Sequence, residues 1–550
     1  MKSNALLWTL KQIRNRIPAI LIMTAAQVGH SVFCVLFALG SRAVIDSATA
    51  GYARAFGVAC LKQAVIIAGI LISMGLVRHL RERLRADLDR DWKKRMLHGL
   101  LNGEYAEVSA YHSAELLNRL NNDVTKVNEG LLNIIPNGGA MAARIFAVVV
   151  VLGSLDFRFA LVMAMLGAVV VATTAVLRRR LKDLNRQVSE HDGKVSGFLQ
   201  ETMEKLLMVQ AMDISQEMER RTGLLLDDRY EIQRKRKNIS VMSNTAVSIM
   251  HYGAGFLALC WCAGRLLRGQ MSFGSLTAVI QLVNQLQAPF VNLSGILPQY
   301  AAMMASAERL MELDAIQGEP VPQEDVRRLY DQMQSIRGEN LCFSYDRDQI
   351  LQDAGFVLEK GTFAVITGPS GIGKSTILKL ILGVFRPDSG KLYLDTGLDQ
   401  IPLDRRTRNL FAYVPQGNLL LSGTLRENLT VVRPDCTEED IRYAVYVSAM
   451  DEFLPGLPQG LDTVLGENGA GLSEGQSQRL AIARAVLGGA PILLLDECTS
   501  ALDVDTEQTV LQRIRAMPDR TCISVTHHPA AVALCSCQLE MKEGKIQVIK

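Results

Sequence analysis

Two short stretches of this 550-residue chain carry residue types at spacings that could do chemistry. The first runs Gly368-Pro369-Ser370-Gly371-Ile372-Gly373-Lys374-Ser375-Thr376. Glycines at that spacing let backbone N–H groups curl around phosphate oxygens, and the N-terminus of a following helix adds positive potential. Lys374 can then neutralise the β- and γ-phosphates of a nucleotide, and Ser375 can hold Mg2+. The second stretch, Ile492-Leu-Leu-Leu-Asp496-Glu497, is an apolar run ending in two carboxylates. Asp496 suits water-mediated Mg2+ coordination, and Glu497 suits a general base that polarises an attacking water. Each has a plainer reading: a Gly-rich run can be an ordinary turn, and two acids at a strand end can cap the next helix.

The elements around them favour the chemistry. Phe363–Thr367 reads as a buried strand that feeds the glycine-rich loop, and Ile377–Val384 as the apolar helix leaving it. Leu472-Ser473-Glu474-Gly475-Gln476 precedes an amphipathic helix over Ser477–Leu487. With these in place the chain resembles an ATP-binding-cassette (ABC) transporter of the exporter type, over almost its whole length. The resemblance implies an all-α, six-helix transmembrane domain followed by an α/β P-loop NTPase domain. The family's signature reads LSGGQ, and Glu474 stands here at its middle glycine.

Further residues take roles from the same resemblance. Tyr345 matches the aromatic that stacks on adenine, Gln416 the residue that senses Mg2+ and contacts the membrane domain, and His527 the switch histidine on the γ-phosphate. Asp503 closes the Ser500-Ala-Leu-Asp503 motif, and Thr463–Gly469 resembles the exporter X-loop, with Asn468 where Arg is common. The implied catalytic set is Glu497, His527 and Gln416. ATP falls to Tyr345, Gly368 through Thr376, Ser473, Gly475, Gln476 and Asp503, and Mg2+ to Ser375, Gln416 and Asp496. In this family ATP lies between the P-loop of one cassette and the signature of another. One copy of each motif per chain therefore implies a second half-transporter, identical or different. Glu474 would repel a triphosphate unless its side chain points away; activity is expected to survive, because the contacts come from backbone and Ser473. His528 takes no role and is expected at the surface.

Composition fits a two-part machine. The chain is 49% hydrophobic, 6% aromatic and 21% charged, with mean hydropathy +0.15, which excludes a disordered, collagen-like or disulfide-stapled chain. The net charge of +3 hides an asymmetry: residues 1–315 carry 36 Lys and Arg against 25 Asp and Glu, and residues 316–550 carry 23 against 31. Ten cysteines form no C-x-x-C and read as reduced thiols.

A bilayer core needs about 20 apolar residues per helix. Six stretches qualify: 17–40, 57–77, 136–155, 157–177, 244–264 and 276–298. Basic clusters precede the first (Lys2, Lys11, Arg14, Arg16), follow the second (Arg78 to Arg95) and the fourth (Arg178, Arg179, Arg180, Lys182, Arg186), and precede the fifth (Arg234 to Lys237). By the positive-inside rule this places the N-terminus and the ATPase domain in the cytoplasm of a cell-membrane protein, and it removes nucleic acid as a partner for the basic half. The expected domains are a transmembrane domain over 1–315, a Pro-bearing linker over 316–335 and a nucleotide-binding domain over 336–550.

Residues 78–135 and 178–243 read as long helical extensions into the cytosol. Their tips are expected near Ala114–Asn122, within an Ala114–Asp123 stretch resembling a coupling-helix region, and near Glu201–Met208. Polar residues mark the spans: Gln27 and His30 in the first, Arg144 in the third, and Gln281, Asn284, Gln285, Gln287, Asn292 and Ser294 in the sixth. They face either a cavity or another helix. No acid occurs from Ile232 to Ala307, which tilts cargo toward neutral, amphipathic or anionic molecules. Sixteen residues before the first span leave no room for a peptidase domain, so leader processing is not expected. The reading is ATP-driven export of a small molecule, lipid or peptide by alternating access. An importer or lipid flippase on the same scaffold, or an ATP-gated channel subunit, are the rivals.

Overall fold

The computed structural model describes residues 2–316, 318, 326–345, 348–417, 420–466 and 471–549. The chain divides into two compact units. One comprises residues 1–98 and 112–315, the other residues 99–111 and 316–550.

Six long helices build the first unit: α1 (Ile17–Thr49), α2 (Ala53–Asn102), α3 (Val124–Leu155), α4 (Phe157–Glu204), α5 (Ser215–Leu267) and α6 (Phe273–Asp314). The last four residues of α2 group with the second unit. At about 1.5 Å per residue, a 50-residue helix such as α2 is roughly 75 Å long, more than twice a bilayer core of about 30 Å. Among the described residues, the segments Arg14–Thr49, Ala53–Asn102, Ser113–Leu155 and Ser215–Leu267 are long and apolar enough to cross a membrane, and Phe157–Gly167 adds a shorter apolar stretch. The side chains of Arg178, Arg179, Arg180, Lys182, Gln287, Asn292 and Ser294 lie outside the described residues.

Pro18 sits in the first turn of α1, where its missing N–H costs nothing. Asp156 caps α4 by accepting from Phe159 N at 3.2 Å, and also binds Trp261 (3.0 Å) and Arg265 of α5. Val35, Val148, Leu152, Phe159, Ala258 and Leu282 belong to one apolar cluster drawn from α1, α3, α4, α5 and α6.

The expected unbroken extension over 78–135 is interrupted. After α2 come a five-residue helix, Tyr105–Ser109, a six-residue helix, Ser113–Asn118, and a π turn over Arg119–Asp123 that leads into α3. Asp123 on that turn is fully buried and receives Arg309 Nε (2.7 Å), Arg309 Nη2 (2.5 Å) and Ser306 Oγ (2.8 Å) from α6. Arg119 joins Glu115 (2.7 Å), Glu312 (3.0 Å) and the Arg309 carbonyl (2.9 Å). Burial pushes the Asp123 carboxyl up, but Arg309 and Ser306 outweigh it and hold it below the usual carboxylate range.

In the second unit, a mixed sheet runs in the order β12-β11-β3-β10-β9-β6, where β3 is Phe363–Thr367, β6 Phe411–Val414, β9 Ile492–Asp496, β10 Thr521–Val525, β11 Cys537–Lys542 and β12 Lys545–Val548. All its pairings are parallel except the β11–β12 hairpin. β3 and β9 are near-continuous apolar runs because a parallel sheet is covered on both faces. An antiparallel sheet of β2 (Asp348–Glu359), β1 (Ser335–Tyr345), β4 (Ser389–Asp395) and β5 (Gln400–Pro402) stands beside it. A short ladder joins β7 (Gly423–Thr424) to β8 (Val464–Leu465).

The helix Val326–Gln332 falls in the stretch expected as linker, yet Leu329, Tyr330 and Met333 are buried with Ile336 and Phe356. Their i, i+1, i+4 spacing makes one apolar helix face, and Tyr330 Oη lies 3.0 Å from Thr521 Oγ1. Residues 99–111 belong to this unit as well. Arg405 donates to the Asn102 carbonyl and to Asn102 Oδ1, both at 2.8 Å; Arg386 pairs with Glu104 at 2.6 Å; Tyr105 stands edge-on to Phe385.

Candidate active site

The site forms where β3 and β9 end side by side with β10 between them. Gly368–Gly373 follows β3 and leads into helix α7, Lys374–Ile381. Gly373 caps that helix at φ +106°, and a Cβ there would stand 2.1 Å from Ile350 Cγ2, so glycine is the residue the loop can accept. The Lys374 side chain is 6% exposed and curls back so that Nζ donates to the carbonyls of Gly368 and Pro369, each at 3.0 Å. Ser370 is exposed and Ile372 half-buried.

The two carboxylates part company. Asp496, 2% exposed, accepts from Ser375 Oγ at 2.7 Å and from Tyr413 Oη at 3.0 Å. Burial raises its pKa despite these two donors. Glu497 turns the chain at φ +46°, a left-handed conformation that non-glycine residues rarely adopt, and its N–H is held by the Val525 carbonyl at 2.9 Å. Its carboxylate accepts from Gln416 Nε2 at 2.8 Å and lies 4.0 Å from Lys374 Nζ. Lys374, Ser375, Gln416, Asp496 and Glu497 thus converge on the end of the sheet. Tyr345 reaches Thr376 Oγ1 at 3.5 Å and packs edge-on against Phe343 and Phe385.

These residues fit a Mg2+–nucleotide. The loop offers backbone N–H groups and a lysine whose polar partners among the described residues are two carbonyls and a distant carboxylate, and the Ser375–Asp496 pair presents two hard oxygen donors to a divalent cation.

The signature residues sit at the start of a different helix. Ser473 caps helix α8 (Glu474–Leu487): its Oγ accepts from Gln476 N at 3.3 Å while Gln476 Oε1 accepts from Ser473 N at 2.9 Å, a reciprocal capping box. Glu474 is exposed at the first helical position, where a negative charge suits the helix dipole. Gly475 approaches the Ala501 carbonyl so closely that a Cβ would sit 2.8 Å from it. Gln478 ties this helix to the loop after Glu497, donating to Ser500 Oγ (3.2 Å) and accepting from Ala501 N (3.1 Å). Asp503 caps helix α9 (Val504–Arg515) through Thr506 N at 3.0 Å, a bond that lowers its pKa. His527 is exposed. Of the X-loop, Glu467, Asn468 and Gly469 lie outside the described residues.

His528, expected at the surface, is partly exposed and has a partner. Its Nδ1 lies 3.1 Å from Glu507 Oε2, and the buried Glu507 also accepts from Thr499 Oγ1 at 2.8 Å. Tyr413, Gln478 and Glu507 were missed by the sequence reading, because none sits in a glycine-rich or acidic motif.

Comparison with known proteins agrees with this geometry. Residues 351–500 match the ABC transporter family and residues 19–290 the ABC transporter transmembrane region. An ATP-dependent lipid A-core flippase of Chromobacterium violaceum is 28% identical over 87% of this chain and 83% of its own. The human mitochondrial potassium channel ATP-binding subunit is 27% identical over 88% of this chain, which spans 66% of that protein's length. A bacterial Atm1-family ABC exporter with ATP bound superposes with a TM-score of 0.80 at 24% identity, covering 97% of this chain and 95% of the other. With both family regions following one another in a single chain, and an exporter fold around them, the protein is a multi-pass membrane protein with an ATP-binding ATPase domain and belongs to the ABC transporter family.

Proposed function

We propose that this chain is one half of a dimeric ATP-driven exporter, and that hydrolysis of ATP between two cassettes drives its helices between inward- and outward-facing arrangements. The observation that carries the reading is the meeting of Lys374, Ser375, Asp496, Gln416 and Glu497 at one end of the sheet in a chain that also holds six long helices.

The chemistry follows from what these groups can do. Lys374 would exchange its two carbonyl partners for phosphate oxygens, and the loop amides would hold the remaining charge. Bound Mg2+, held by Ser375, Gln416 and Asp496, would neutralise charge on the phosphates. Tyr413 fixes one Asp496 oxygen so that the other points toward Ser375. Glu497, oriented by Gln416, takes a proton from the attacking water, and His527 would contact the γ-phosphate. Tyr345 offers a ring face to adenine. Ser473, Gly475 and Gln476 would close on the ATP of a second chain, and Glu474 stands exposed on the first turn beside them. Differential contacts of ATP with the open and closed pairs then shift the balance of membrane conformations.

The orientation that the basic clusters favour puts the N-terminus and cassette on the cytoplasmic side of the cell membrane. The lipid A-core flippase among the relatives keeps a flippase reading alongside export of a small molecule or peptide, and the mitochondrial relative keeps a channel-subunit reading.

The test is ATP hydrolysis and substrate accumulation by the purified protein in inside-out vesicles. Export requires Mg2+-dependent hydrolysis that Glu497→Gln abolishes, with uptake into the lumen. A channel subunit would instead give current without stoichiometric turnover, and an importer would reverse the direction.

A further inference from the structure

α1 carries a polar stripe in the middle of its apolar length. Gln27, His30, Ser31 and Cys34 follow i, i+3, i+4, i+7 spacing and so share one face. Between them they meet three helices. Gln27 Nε2 donates to Asn137 Oδ1 of α3 at 2.5 Å; His30 Nδ1 lies 3.1 Å from Ser73 Oγ of α2; Gln285 Nε2 of α6 donates to the Cys34 carbonyl at 2.8 Å. Ser31 Oγ accepts a long 3.5 Å bond from Arg144 Nη2 of α3.

Arg144 is the anomaly. It lies eight residues beyond Pro136 and eleven short of the end of α3, deep in a span. Among the described residues it makes that one long bond, no ion pair is recorded for it, and its Nε has no partner. No nearby carboxylate can compensate it. Within the six apolar stretches and the short turns between them, the acids are Asp46 and Asp156. Asp46 is taken by Arg42, Ser272 and the Gly274 N–H, and Asp156 by Arg265, Trp261 and the Phe159 N–H. The amide oxygens of Gln27, Gln281 and Gln285 are also buried without partners. Gln27 and the Gln285 bond to Cys34 lie about one turn either side of Ser31, which Arg144 reaches, and Gln281 lies one turn from Gln285; amides can present either end, so these three supply adaptable hydrogen bonds near a fixed positive charge. An uncompensated cation in a span is costly and marks a pathway or ligand position. Arg144 is half-buried, and the nitrogen left without a partner, Nε, is itself enclosed.

We propose that Arg144 and the surrounding amides form a binding site for an amphipathic anion: a carboxylate, sulfate or phosphate group on an apolar body, the anion on Arg144 and the body along the apolar walls. The site names a substrate class and rests on the transporter reading above.

The test uses three probes that share a lauroyl chain: N-lauroylglycine (anionic), N-lauroylglycinamide (neutral) and N-lauroyl-ethylenediamine (cationic). Their binding to the full chain in nanodiscs of neutral phospholipid is measured without nucleotide. The anion should bind roughly tenfold tighter than the amide, and the cation weakest. Arg144→Gln should erase the preference while Arg144→Lys keeps most of it; elution volume and thermal midpoint report that both fold. Equal binding of anion and amide by the native protein, no binding of any probe, or a preference that survives Arg144→Gln would each overturn the proposal. ATP hydrolysis by the same preparation, against Glu497→Gln, reports separately on the transporter reading. No charge preference in the native protein with hydrolysis intact sinks the site alone, and absent hydrolysis with anion preference intact sinks the transporter reading alone.

Discussion

The active carboxylates differ in what surrounds them, and the difference sets what each substitution should do. Glu497 sits on a strained backbone position with Gln416 and Lys374 around its carboxylate. Replacing it with Gln keeps the shape and removes the proposed base, so ATP turnover should fall by roughly 10²–10⁴-fold with ATP binding retained; steady-state phosphate release beside a nucleotide-binding assay checks this. Tyr413→Phe removes one of two donors to buried Asp496. A hydrogen bond to a charged group contributes roughly 1.5–3 kcal/mol, so the Mg2+ concentration for half-maximal hydrolysis should rise about tenfold or more while the protein remains folded. An unchanged Mg2+ dependence would show that Ser375 alone orients Asp496. The motif residues were legible because their chemistry needs them close in sequence: five residues separate Gly368 from Lys374, and Asp496 adjoins Glu497. Tyr413, Gln478 and the Glu507–His528 pair were not, because each acts across the fold and is of an ordinary type for its position.

At the scale of elements, the π turn before α3 rests on one carboxylate. Asp123 binds Arg309 through two nitrogens and Ser306 through its hydroxyl. Asp123→Ala strands both donors, and since Arg309 is partly exposed and can turn to water, the cost should fall near 2–3 kcal/mol rather than higher. A lowered thermal midpoint in detergent or nanodiscs reads it. The pH dependence has a definite sign. The folded carboxyl is held below its ordinary value, so its contribution is full above the unfolded value of about 4 and is lost as pH falls through the folded one. The gap between native and Asp123→Ala proteins should therefore close on acidification and stay constant on the alkaline side up to neutrality. Periodicity revealed the long helices, since apolar runs of that length leave little choice. It did not reveal the π turn or the break at Gly103–Glu104, because the local propensity for helix is unbroken there and the interruption is imposed by what Asn102, Glu104 and Tyr105 bind.

For the molecule as a whole, a site shared between two chains can be tested by mixing two dead proteins. Lys374→Ala removes the phosphate side, and Gly475→Asp places a side chain where the Ala501 carbonyl leaves under 3 Å. In the proposed dimer neither homodimer holds an intact site, but a mixed dimer holds one, made of the Lys374 of one chain and the signature of the other. Random mixing makes half the dimers mixed, so hydrolysis should return to about a quarter of the native rate if each site works alone. No recovery would mean that both sites must fire together or that each chain is self-sufficient and simply broken. Two units and their order were legible from charge asymmetry and motif position. The partition of residues was not, since no compositional shift marks 99–111, and those residues group with the second unit through single pairs such as Arg405 with Asn102.

That grouping bears on how the protein is made. Asn102 leaves the ribosome 303 residues ahead of Arg405, and translation at about 5–20 residues per second leaves a gap of roughly 15–60 seconds. During that interval the Tyr105 ring and the Glu104 carboxylate have no Phe385 or Arg386 to meet. The nucleotide-binding unit is therefore completed by a piece synthesised before most of the membrane helices. A gene cut at residue 316 would express a cassette lacking part of its own surface, whereas a fragment supplied with 99–111 as a separate peptide would regain it.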